Sequence, residues 1–206
     1  MIPEDGTRLM LTQIPVQEQT DGRRQRSEAS REKIVRAMLA LVAEGDVCPG
    51  AENVAARAGV GLRTVFRHFE NMESLYQQIS AAVTAELKPT ANEPYRAADW
   101  SGQLMELIDR RTEIFERIMP YKIAGEVHRH QSVFLDRQAA EFVREQRASL
   151  LRVLPEDRHG DASFVEGLDL LLCFDCWRRL RKDQKLPVAA ARQAVERLVA
   201  ALLAAA

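Results

Sequence analysis

The chain has 206 residues, 46% hydrophobic and 29% charged, with a formal net charge of −1. These are the proportions of an ordinary globular protein of one large domain or two small ones, and they exclude a chain coated in positive charge. No apolar run approaches the roughly 20 residues that span a bilayer. Three cysteines, an odd number, argue against a disulfide framework and for a reducing, cytoplasmic setting.

The leader "MIPEDGTRLMLTQIPVQEQTDGRRQR" is polar, with early acids and a broken apolar stretch. It does not read as a signal peptide, and residues 1–29 are expected to form a flexible arm. The prolines after it, Pro49, Pro89, Pro94, Pro120, Pro155 and Pro187, fall between helical patterns or at their starts. Between them there is almost no period-2 alternation, so an all-α fold of about nine helices is expected.

The first helix is predicted from about Ser30 to Glu44, with Ile34, Met38 and Leu41 on one face and Gly45 as a stop. Short helices follow at 51–58 and 62–68. Asn71 is placed to cap a fourth, carrying Leu75, Ile79, Val83 and Leu87 and ending at Pro89. "KPTANEPYRAAD" has the composition of a linker, dividing a domain at 30–88 from one at 95–206. Asp99 caps a helix with Trp100, Leu104, Leu107, Ile114 and Ile118 facing inward as far as Pro120. Longer helices are predicted at 131–154, 161–182 and 187–205.

Within "VAARAGVGLRTVFRHFENMESLY", residues 54–76, Ala55, Gly59 and Val65 stand at offsets of four and six. A helix-turn-helix needs a small residue for close packing, a residue tolerant of positive φ at the corner and an apolar anchor in the second helix. These three supply them. Arg63, Thr64, Phe66, Arg67 and His68 are then the candidate DNA-contacting residues. Arginine forks to guanine or phosphate, and threonine reaches a phosphate or a thymine methyl. Arg23, Arg24 and Arg26 in the arm are candidates for minor-groove entry, or for loose electrostatic attraction from a solvated tail.

"AARAGVGLRTVFRHFENMESLYQQI" and "REKIVRAMLALVAEG" together resemble the DNA-binding domain of the tetracycline-repressor family of bacterial transcriptional regulators over roughly residues 30–80. The family shows an Ala-Gly-Val turn, a short helix ending in aromatic-x-x-Phe, an acidic residue and then an apolar helix. Phe66 stands where that family often has tyrosine, and Met72 near where it has lysine. The resemblance implies that residues 62–68 form a recognition helix. It also implies a homodimer through a four-helix bundle built from residues about 161–205, reading a double-stranded palindromic operator and answering to a small-molecule effector.

In the second half, Val188, Ala191, Val195, Leu198 and Leu202 recur at spacings of three and four, a seam suited to packing against other helices. A single chain could bury that seam internally. An effector pocket would be lined by Trp100, Met105, Arg111, Phe115, Tyr121, His128, Phe142 and Gln146, where polar residues interrupt apolar faces. Arg111 on such a face needs a carboxylate of the protein, an anionic ligand or a route to the surface. "CFDC" at 173–176 is expected to be two buried free thiols rather than a metal or redox site. No phosphate loop, nucleophile elbow or metal-ligand helix is present, so neither enzyme activity nor a cofactor is expected. The alternative to a regulator is a helical ligand-binding or protein-interaction module without specific DNA binding.

Overall fold

Helix periodicity carries through into an all-α fold. The computed structural model describes the backbone of residues 17–205 and side chains from Arg24 onward, and within those residues it forms nine α-helices and no strand. The first, α1, spans Gln17–Ala43 and so begins well before Ser30. Residues 17–29 are therefore helix rather than arm, and residues 1–16 lie outside the described residues. The segment has no apolar stripe to announce a helix, but Gln, Glu and Arg are good helix formers. Arg24 pairs with Glu28 one turn on at 3.4 Å, and Arg26 Nε donates to the Gly22 carbonyl at 3.0 Å. The second half of α1 buries Ile34, Ala37, Met38 and Val42. It is closed by Gly45 at φ 103°, with Asp46 N donating to Leu41 O at 3.0 Å.

Three helices complete the N-terminal unit: α2 (Ala51–Ala58), α3 (Leu62–His68) and α4 (Met72–Ala91). Asn71 caps α4, its Oδ1 accepting from Ser74 N at 2.9 Å. The helix passes through Pro89, which forgoes its own bond to residue 85, and ends two residues later at Ala91. Val54, Val65, Phe69, Leu75 and Ile79 pack with Ile34 and Met38 into one core. Ala124 and Leu135, from further along the chain, belong to that same core.

The fifth helix, α5, runs from Trp100 to His128 and does not stop at Pro120. A proline inside a helix costs about 3 kcal/mol. Ile118, Met119 and Ala124 are all buried around it, and each large apolar side chain withdrawn from water contributes about 1.5–3 kcal/mol. Burial therefore outweighs the lost hydrogen bond. Ser132 caps α6 (Val133–Leu151), its Oγ accepting from Leu135 N at 3.1 Å.

The helix expected at 161–182 is broken. It consists of α7 (Ala162–Leu171) and α8 (Phe174–Arg178), the latter widening into a π-turn over 179–183, and α9 (Val188–Ala205) follows. Side chains from α5 and α6 satisfy the backbone groups freed at the break. Arg111 Nη1 donates to Leu172 O at 2.8 Å, and Phe174 N donates to Gln146 Oε1 at 2.9 Å. Cys173 caps α8, its Sγ accepting from Cys176 N at 3.3 Å. Glu116 on α5 then clamps the π-turn, accepting from Trp177 Nε1 at 2.8 Å and Arg181 Nε at 2.7 Å. On α9, Ala191, Val195 and Val199 are buried, whereas Leu198 of the expected seam is 50% exposed.

Candidate functional site

The corner between α2 and α3 is built as the Ala55-Gly59-Val65 spacing requires. Gly59 has φ 66° and ψ 37°, the left-handed region that a side chain disfavours. Gly59 N donates to Ala56 O at 3.2 Å and Val60 N to Ala55 O at 3.0 Å, the paired bonds that close a helix end in a Schellman motif. Ala55 and Val65 are buried, Val60 packs on the same core, and Gly61 leads into α3 with extended backbone.

Anchoring α3 through Val65 leaves Arg63, Phe66 and Arg67 on the outside, with Phe66 50% exposed. Thr64 is half-buried. His68, a candidate for DNA contact, does not stand outward with the others: its Nε2 is buried and, among the described residues, has no hydrogen-bond partner. Burial, then Arg67 and Arg31, lowers its pKa, so the ring is a neutral, inward-turned group. Arg57, just before the turn, is held by Glu44, with Nη1 to Oε2 at 2.9 Å, and is not a free cation of this face. Arg24 and Arg26 lie on α1 with their guanidiniums engaged by Glu28 and Gly22, not in an extended arm. The side chain of Arg23 lies outside the described residues.

A cavity of about 680 Å³ lies between α4, α5 and α6. Of the eight predicted pocket residues, Arg111, Phe115, Tyr121, Phe142 and Gln146 line it. Trp100 and Met105 do not; Trp100 packs against the C-terminal core and Met105 is 38% exposed. His128 stacks beside Tyr76 with ring centroids 5.2 Å apart and its Nε2 buried, so it backs the cavity wall without reaching the space.

Arg111 is 5% exposed and meets no carboxylate directly. It bonds the carbonyls of Leu172 and Gln146 and donates to Ser149 Oγ at 2.8 Å. Burial lowers its pKa to about 10, which leaves it a cation near neutral pH. Phe115 and Phe142 meet edge-on with centroids 6.3 Å apart. Tyr76, which also lines the space, has its phenol pushed up to about 12 by burial and stays protonated.

Sequence reasoning missed Lys122. It lies eleven residues after Arg111 on α5, three turns on and so on the same face, roughly 16 Å along the axis. That spacing was the available signal. Its ammonium stands 4.2 Å from the centre of the Phe142 ring.

Cys48, Cys173 and Cys176 are free thiols, and burial raises the pKa of Cys176. No group of three or more His, Cys, Asp or Glu side chains able to hold a metal ion occurs among the described residues. No helix there is long and apolar enough to cross a membrane.

No protein-family model matches the chain, and neither does any curated protein. Among solved structures, the chain is similar to SCO7518 from Streptomyces coelicolor A3(2), a candidate transcriptional regulator. The two are 21% identical, with a TM-score of 0.58 over 82% of this chain and 98% of that one. At that identity the likeness is one of fold.

Proposed function

We propose that this chain is a transcriptional regulator of the tetracycline-repressor type. In this reading it is a homodimeric, cytoplasmic repressor that binds a palindromic operator through α3 and is released when a small molecule occupies the cavity. One observation carries the reading. The left-handed corner at Gly59 fixes α3 through buried Val65, so that Arg63, Phe66 and Arg67 stand free on the surface. Two arginines on an exposed short helix after a tight turn are the chemistry of phosphate and guanine contact. The fold likeness to SCO7518 supports the same reading.

Leu170 on α7 and Leu198 on α9, 69% and 50% exposed, support association through the C-terminal helices, since a dimer would cover them. The cavity supports ligand control because α4 forms both its wall and part of the core that seats α3. A ligand that prefers one position of α4 shifts the spacing of two recognition helices by its difference in affinity for the two states.

Selection from a randomised duplex pool, titrated with salt, tests the reading. Recovery of one palindromic sequence is expected. Weak binding that vanishes at moderate salt and enriches no sequence overturns it.

A further inference from the structure

The cavity between α4, α5 and α6 is apolar along its length and basic in its charge. Six basic side chains and three carboxylates line it. Glu126 faces Arg129 at 3.6 Å, while Glu141 and Glu145 are exposed at the rim. Two cations reach inward from one face of α5. Arg111 already gives Nη1 to Leu172 O and Nη2 to the Gln146 carbonyl and Ser149 Oγ, so what it offers the space is chiefly charge.

Lys122 differs. Its ammonium rests over the Phe142 ring at 4.2 Å, and among the described residues no carboxylate pairs with it. Its stem is half-buried, and desolvation disfavours its charged form. A partly desolvated cation beside an aromatic ring, with three donors and no carboxylate at ion-pair distance, since Glu126 and Asp175 attract it only from further off, is complementary to an anion entering the same space.

We propose that this cavity is a site for an amphipathic organic anion. The anionic head bonds the ammonium of Lys122, and an apolar body lies against Phe115, Ile118 and Leu107. The volume suits a ligand of drug size, since pockets for such molecules measure about 300–1,000 Å³. Arg111 at the far end adds long-range attraction through a low-dielectric interior. As an account of the effector, this inference rests on the regulator reading. As an account of what the cavity holds, it stands apart from DNA binding.

The test uses the full chain without DNA and a matched set of probes: decanoate and decylammonium below their micellar concentrations and decan-1-ol below its solubility limit, measured by calorimetry. Decanoate is expected to bind at least roughly ten-fold tighter than decanol, the worth of one charge-assisted hydrogen bond, and decylammonium weakest. Lys122→Met keeps the stem and removes the charge, and should abolish most of the preference for decanoate over decanol, leaving only the weaker long-range contribution of Arg111. Lys122→Gln is the second neutral variant should the first fail to fold, and Lys122→Arg should retain the preference. Equal affinity for acid and alcohol in the parent chain, or a preference undiminished in both neutral variants, overturns the inference. Acid binding that leaves operator affinity unchanged supports the site and removes only the effector reading. An operator-binding protein with no acid preference removes only the site.

Discussion

Glu73 and Ser132 join the two halves of the molecule. Glu73, in the first turn of α4, accepts from Ser132 Oγ at 2.7 Å, and that hydroxyl is the one that caps α6; the same carboxylate oxygen accepts from Phe134 N at 3.3 Å. The start of α4, just after α3, is thereby fixed to the start of a helix that lines the cavity. Removing the acceptor in Glu73→Ala leaves a part-buried hydroxyl and an amide without it, and should lower unfolding stability by about 1–3 kcal/mol. Glu73→Gln keeps an acceptor oxygen and should lose less. Urea denaturation of the two variants checks the order.

The corner glycines separate conformation from space. A Cβ at Gly59 or at Gly61 would meet nothing within 4 Å, yet Gly59 has φ 66° and Gly61 φ −70°. Gly59→Ala should therefore destabilise by about 1–2 kcal/mol through backbone strain alone. Gly61→Ala should be near neutral. Thermal melts of the two variants give the comparison, and equal losses would show that space, not φ, governs the turn.

Arg63 and Arg67 are exposed and make no hydrogen bond or ion pair with the described residues. Replacing either with alanine should change stability by no more than about 0.5 kcal/mol. Operator affinity should fall by about 1–3 kcal/mol where the arginine reads a base. Where it contacts phosphate, the salt slope should instead drop by about one. Fluorescence anisotropy at several salt concentrations separates the two roles.

Glu116 connects α5 to α8 and the π-turn, and its hydrogen bonds from Arg181 hold its carboxyl below the ordinary carboxylate value. A depressed folded-state pKa contributes stability that is present above the unfolded pKa and lost as pH falls through the folded one. Glu116→Gln should therefore be less stable than the parent at neutral pH. The gap should close as pH is lowered beneath the usual carboxylate range. Parallel denaturation curves from pH 7 downward measure it; a constant gap would mean that the loss is one of packing and not of charge.

The helix-turn-helix was legible because its determinants are local. Ala55, Gly59 and Val65 act within eleven residues, and each answers to a rule of backbone geometry or periodicity that needs no distant partner. The cap at Asn71 was legible for the same reason. His68 was misplaced because it stands three residues after Val65, on the same inner side of α3, a periodicity that the outward reading of the basic residues overlooked; burial is completed near Arg31 of α1, which no local pattern shows.

By itself, the sequence determined the helical class, the tight corner after α2 and which arginines follow it. Tertiary structure alone decided where the long helices end. Pro120 does not stop α5, because buried neighbours outweigh the lost bond, while the unbroken apolar pattern at 161–182 does break, because Arg111 and Gln146 reach across to serve its backbone. It also decided that Lys122 meets a cavity rather than a carboxylate. A hydrogen bond between residues 61 apart in the chain, such as that from Arg111 to Leu172, leaves no periodic trace; only the packing of the helices brings its two ends together.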